Sequence, residues 1–190
     1  MKKLYCLLLI ASYCSMTTVK AQPACSGVYL TANDFIVGKL YYASACRRTS
    51  KDSYYRLLAN SHFFIIQPGW AWRRIDKENV FAIKSCEGQI IRIYQGNNFY
   101  LLNPGEPIPI YKTVANAVSK GSIIRVKYCF STDIISEIRD LTIDNLKAAF
   151  PQKDHFAETI NAHFKDDSDL YAYNQINKCF ELNEVYSMCK

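Results

Sequence analysis

Six cysteines follow residue 21, at Cys25, Cys46, Cys86, Cys129, Cys179 and Cys189, and no other residue type in this chain offers so many kinds of chemistry. A thiolate is a nucleophile or a metal ligand, and an oxidised pair is a covalent staple; spacing and compartment select among these. No two of the six stand at Cys-x-x-Cys spacing, so neither a dithiol redox motif nor a zinc ribbon is indicated. A cysteine nucleophile needs a base beside it, which here means Cys129 or Cys179 meeting His155 or His163 across the fold. Disulfide pairing is the favoured reading: Cys179 with Cys189 in the tail, Cys46 with Cys86 across a sheet, and Cys25 left with Cys129.

The segment Trp70-Ala71-Trp72-Arg73-Arg74 is the strongest candidate for binding. Alternate side chains of a strand share a face, so Trp70, Trp72 and Arg74 would line up. Two indoles could then stack on a sugar ring while a guanidinium forks onto a carboxylate or phosphate. A core role competes with this, since paired tryptophans beside a turn such as Pro68-Gly69 also serve as cross-strand plugs. Arg47-Arg48 with Lys51 reads as a solvated loop. Asp76, Glu78 and Glu87 flank predicted turns, and two carboxyls held about 5–9.5 Å apart in a groove would suit glycoside hydrolysis.

Other chemistries lose support. A Gly-x-Ser-x-Gly elbow, a His-Glu-x-x-His helix and a phosphate-binding glycine loop are all missing. The histidines are His62, His155 and His163; the last two, on one predicted helix, stand about 12 Å apart by helical rise, too far to grip one small ion. Asp166-Asp167-Ser168-Asp169 lacks the spaced acids, central glycine and distal glutamate of an EF-hand and reads as a helix start. No catalytic residue, metal ligand or cofactor is assigned.

The elements that must hold these residues fall into two stretches, with a break near residue 131. Upstream, short runs rich in Val, Ile, Tyr and Phe read as strands: Gly27 to Leu30, Phe35 to Tyr42, Tyr54 to Leu58, His62 to Ile66, Trp70 to Ile75, Val80 to Ile83, Ile90 to Tyr94, Phe99 to Leu102, Ile108 to Tyr111 and Ile123 to Phe130. Turn formers such as Cys86-Glu87-Gly88, Gln95-Gly96 and Asn103-Pro104-Gly105 separate them, which implies antiparallel pairing in a meander or small barrel. Downstream, Thr142 caps a helix over Ile143 to Phe150 that Pro151 stops. A second helix runs from about Lys153 to Phe164, burying Phe156, Ile160 and Phe164. A third follows the acidic run, with Leu170, Tyr173 and Ile176 on one face, and Phe180 to Met188 is a last strand or helix.

Residues 1–21 have a basic head, an apolar run from Leu4 to Met16, and Val19-Lys20-Ala21 before Gln22, the pattern of a cleaved signal peptide. The run is too short to span a bilayer, and Tyr13 before Cys14 speaks against a lipoprotein site. The expectation is an exported, periplasmic or extracellular product, residues 22–190, forming one α+β domain with a β-rich part over 22–131 and a helical part over 132–190. The formal charge of +6 loses three lysines with the leader, so overall basicity is a poor argument for nucleic acid. Its distribution is uneven: residues 22–130 carry 14 Lys or Arg against 6 Asp or Glu, and residues 131–190 carry 6 against 11. Faces of one fold attracting each other would explain this, and so would a basic surface for an anionic glycan, a lipid headgroup or an acidic envelope protein.

Several local patterns recur together in one class of proteins. They are Cys25-Ser26-Gly27-Val28-Tyr29-Leu30-Thr31 with Asp34-Phe35, Cys86-Glu87-Gly88 followed by Arg92-Ile93-Tyr94, Ile110-Tyr111-Lys112, and Leu141-Thr142 with Asn145-Leu146 and Phe150-Pro151. In these the chain resembles small exported proteins of Bacteroidota that carry no assigned activity. The resemblance implies an architecture and a compartment and transfers no catalytic residue. The sequence therefore points to an α+β fold, an N-terminal antiparallel sheet or small barrel with two to three C-terminal helices packed on it. The function expected is a non-catalytic binding protein of the cell envelope using Trp70, Trp72 and Arg74; the alternative is an envelope glycan hydrolase.

Overall fold

The computed structural model describes residues 26–44, 62–66, 73–114 and 126–189. The leader, Cys25, Cys46, Trp70, Trp72 and the strand expected over Tyr54 to Leu58 lie outside the described residues. The fold is α+β. An eight-stranded antiparallel sheet contains β1 (Ser26–Tyr29), β2 (Tyr41–Ser44), β5 (Ala82–Lys84), β6 (Ile90–Tyr94), β7 (Asn97–Leu101), β8 (Ile110–Val114), β9 (Val126–Phe130) and β10 (Arg139–Asp140). Its order is β10-β9-β8-β7-β6-β5-β1-β2, and it is open, with β10 and β2 at its edges, so it is not a closed barrel. A separate hairpin pairs β3 (Phe63–Ile66) with β4 (Arg73–Asp76).

From β5 to β9 each strand pairs with the next in the chain, and the β5–β6 and β6–β7 connections are short, locally determined turns. At Gln95-Gly96 both residues have positive φ, 49° and 74°, as a two-residue hairpin turn requires, and this starts β7 at Asn97. The expected strand over Phe35 to Tyr42 is corrected: α1 (Ala32–Ile36) occupies its first part. Thr31 and Asp34 form a reciprocal capping box there, the Asp34 amide donating to the Thr31 hydroxyl and the Thr31 amide to the Asp34 carboxylate.

Cross-strand partners share a face, and the register therefore sorts the sheet into two surfaces. One carries Val28, Ile83, Ile91 and Tyr100 in a row, continued by Ile110 and Phe130 on β8 and β9. At the β8–β9 end it is covered by α2 (Ile143–Ala149), α3 (Phe156–His163) and α4 (Glu181–Met188), whose Leu146, Phe156, Ile160, Leu182 and Val185 are buried with Ile110 and Phe130. Thr142 caps α2 as its sequence predicts, accepting from the Asn145 amide. The helix expected after the acidic run is instead a 3-10 turn, Asp167–Tyr171, followed by a small hairpin of β11 (Tyr173–Asn174) and β12 (Cys179–Phe180). Ile176 sits in the hairpin turn, 90% exposed, and packs on no helical face.

A pair of asparagines joins helix to sheet. The Ile108 amide donates to Asn183 Oδ1 (2.7 Å), and the Ile108 carbonyl accepts from both Asn183 Nδ2 (3.1 Å) and Asn103 Nδ2 (2.8 Å). Asn183 on α4 thus satisfies both backbone groups of a fully buried residue 75 positions away. Asn183→Ala leaves the Ile108 amide without its acceptor and is expected to lower stability by about 1–3 kcal/mol in urea unfolding; a change under about 0.5 kcal/mol would show that the joint is dispensable.

Candidate binding site

The residues singled out by sequence meet different fates. Arg74 lies on β4, opposite Ile65, with its side chain 63% exposed. Its guanidinium sits 4.0 Å from the centre of the Phe63 ring and donates through Nε to Asp76 (3.2 Å). Strand alternation puts Arg74 and Asp76 on one face and Ile75 on the other, where Ile75 packs against Val28, Val80, Ile83 and Ile91. Arg74 is therefore a cation laid on an aromatic ring at the surface, and the six residues joining β3 to β4 in sequence include Trp70 and Trp72.

The carboxylates of the hydrolase reading all stand at the surface. Asp76 is exposed and ion-paired with Arg74, Glu78 is exposed in the 3-10 turn Lys77–Asn79, and Glu87 is exposed in the β5–β6 turn. The acidic run acts as caps: Asp167 accepts from the Ile143 amide (2.8 Å), and Asp169 accepts from the Lys165 and Asp166 amides. His155 bonds Glu158 (2.9 Å), and His163 lies 3.8 Å from Glu181. Among the described residues there is no group of three or more His, Cys, Asp or Glu able to hold a metal ion.

Two of the three expected cysteine pairings need correcting; the third, Cys46 with Cys86, involves a residue outside the described ones. Cys179, Cys189 and Cys129 are free thiols, so neither Cys179–Cys189 nor Cys25–Cys129 exists as a bridge. Cys179 opens the two-residue β12 just before α4 and Cys189 follows the last turn of α4, so the whole helix stands between them. Eight helical residues alone rise about 12 Å, whereas a disulfide needs Cα atoms within about 7 Å. The Cys179 thiol donates instead to Glu184 Oε1 (3.4 Å), and the Cys189 thiol to the Val185 carbonyl (3.4 Å). Burial, with Asp140 nearby, pushes the Cys129 thiol up to about 11, opposed by Lys127, which leaves it a poor nucleophile. Cys86 lies half-buried in the β5–β6 turn.

One site was not singled out by sequence. Arg92 on β6 is only 3% exposed, on the sheet face opposite the helices, in line with Ala82 and Phe99. Residues 131–138, a strap without regular structure between β9 and β10, cross this face, with Ile134 and Ile138 packed on Leu101, Tyr111 and Cys129. Arg92 Nη2 donates to the carbonyls of Ser136 (2.6 Å) and Ile135 (3.1 Å), and Nη1 to the Tyr111 hydroxyl (3.3 Å). That hydroxyl is 3.0 Å from Ser131 Oγ, which in turn donates to the Asp133 carbonyl. Rings of Phe81, Tyr94 and Tyr111 lie 5.2, 5.4 and 6.0 Å from the guanidinium carbon. A cavity of about 280 Å³ borders the strap, lined by Phe130, Thr132, Ser136, Glu137 and Arg139.

Asp133 shapes the strap. Its carboxylate accepts from the amides of Ile135 (2.8 Å) and Ser136 (2.7 Å) and from the Ser136 hydroxyl, which turns the two carbonyls toward Arg92. Burial alone would raise its pKa, but the Ser136 hydroxyl, the two amides and the Arg92 charge outweigh this and hold it below the ordinary value. A depressed carboxyl stabilises above its unfolded pKa, about 3.9, and the contribution is lost as pH falls through the folded value. The Ile135 and Ser136 amide resonances are therefore expected to titrate together in NMR with an apparent pKa below about 3.9; a midpoint at or above it would show that the carboxylate does not organise the strap. Compared with protein-family models, curated proteins and solved structures, the chain matches none.

Proposed function

We propose that this chain is an exported, non-catalytic binding protein of the cell envelope that recognises an acidic glycan through the basic aromatic face of the β3–β4 hairpin. One observation carries the reading: Arg74 is laid 4.0 Å over the Phe63 ring while most of its surface faces solvent. A guanidinium fixed on a ring keeps its outer edge free for a carboxylate at little entropic cost, and the ring plane beside it suits the apolar face of a sugar. Among the described residues its nitrogens bond only Asp76, through Nε. Trp70 and Trp72 would extend this surface from the connecting residues. Export rests on the leader pattern of residues 1–21.

The mature chain is expected to bind polygalacturonate in calorimetry and to ignore neutral dextran. Arg74→Ala should weaken binding about tenfold, the loss of one charge-assisted contact, and Trp72→Ala by a similar factor if the indole stacks. Raising salt from about 50 to 500 mM should weaken the interaction further as charges are screened. Equal binding by wild type and both variants would overturn the proposal. So would preference for phosphatidylglycerol vesicles, which would assign the surface to lipid headgroups, or binding confined to an envelope protein.

A further inference from the structure

Arg92 is a cation taken out of water and met by neutral acceptors. Its hydrogen bonds go to two carbonyls and a phenol, and the nearest acid of the strap, Asp133, spends its carboxylate on the strap's own amides and hydroxyl. A buried guanidinium costs several kcal/mol unless an anion or full hydrogen bonding offsets it. Arg92 Nε is buried and has no hydrogen-bond partner. The unfilled nitrogen has a direction. Nε and Nη2 form the side edge of the guanidinium fork, the edge on which a carboxylate binds with two parallel N–H···O bonds. At that edge Nη2 is held by strap carbonyls and Nε by nothing.

From this geometry we infer that Arg92, under the strap 131–138, is the floor of a second binding site, one for a small carboxylate, and that the strap is its lid. The carbonyls of Ile135 and Ser136 stand where carboxylate oxygens would sit. A carboxylate at the Nε/Nη2 edge satisfies Nε, replaces one neutral acceptor with a charged one, and needs only one carbonyl to withdraw. Ile135 is the one that yields: its bond is the longer of the two, 3.1 against 2.6 Å, and its side chain is 53% exposed. The cavity next to Ser136 gives the strap space to shift. Phe81, Tyr94 and Tyr111 enclose the guanidinium and keep the pair dry, which strengthens it. Tyr111 and Ser131 add hydroxyls at the same place. The site is on the main sheet and owes nothing to the hairpin surface around Arg74.

The test uses the full mature chain, with sodium acetate and sodium benzoate as probes against sodium chloride at equal ionic strength. Two signals are read: the NMR resonance of the Arg92 Nε–H, and the alkylation rate of Cys129, which is packed under Ile134 and Ile138 and reports displacement of the strap. Saturable shifts of the Arg92 resonance are expected with a Kd of about 1–50 mM, the scale of one charged pair, with Cys129 alkylated at least about threefold faster at saturation. Asp133→Ala frees the strap and should tighten binding about five- to tenfold. Asp133→Asn, which removes the same charge but keeps an oxygen for the two amides, should tighten it less. Arg74→Ala should change nothing. Arg92→Lys should abolish the response; if that variant does not fold, the Asp133 pair decides. No shift with either probe up to about 50 mM in wild type and Asp133→Ala would overturn the site, and binding that leaves Cys129 alkylation unchanged would overturn the lid.

Discussion

Placing the Arg92 guanidinium inside the sheet sets the terms for everything on that face. A strand position between Ile91 and Ile93 that points away from the helices would normally meet water, yet Arg92 is buried. A charge in that position must find acceptors, and on this sheet they come from the chain 43 and 44 residues later. The strap therefore has to cross back over β6 before β10 can pair with β9. The same crossing covers Leu101, Tyr111 and Cys129, so one polar requirement closes an apolar surface. Removing the guanidinium would leave two carbonyls and a phenol short of a donor and take the reason for the strap with it.

The other face is closed by a different device. Helices α2 to α4 are only seven or eight residues long, below the length at which isolated helices hold in water, so their order comes from packing. The contact is apolar, with Phe150, Phe156 and Tyr186 meeting edge to face over Phe130. Direction is supplied by Asn183, which treats Ile108 as a strand would and fixes where α4 lands. Three prolines, Pro104, Pro107 and Pro109, leave the preceding loop few amides of its own to satisfy, and Asn103 covers the Ile110 amide. Both faces thus use one buried polar residue to register a larger apolar contact.

What could be read from sequence follows from range. Strands bounded by tight turns were legible because Gln95-Gly96 or Glu87-Gly88 determines its own hairpin, and the Thr142 cap was legible because it acts on the next three residues. Helix α1 was hidden in an apolar run too short for its period to show, although Thr31 and Asp34 stand at capping-box spacing. Nearness along the chain misled at Cys179 and Cys189, because an eight-residue helix stands between them. The environment of Arg74 was half legible: it is on the strand expected for it, but its pairing with Phe63 and Asp76 depends on a register that no local pattern sets. Arg92 was the largest omission. Its signal was present, since Ile90 and Tyr94 share its strand parity and Ile91 and Ile93 the other, so both faces of that strand read as apolar.

The division of charge at residue 131 bears on how the two parts hold together. Basic and acidic halves would attract if their charges met at the boundary. Among the described residues most ion pairs are local, Arg74 with Asp76, Arg139 with Glu137, Lys147 with Asp144 and His155 with Glu158. Lys127 with Asp140 (2.7 Å) crosses the boundary, and both partners are about half exposed, where such a pair contributes roughly 0–1 kcal/mol. The boundary itself is carried by Ile108, Ile110 and Phe130 against helix side chains. Cohesion across the boundary is therefore apolar, and the surface ion pair adds little to it.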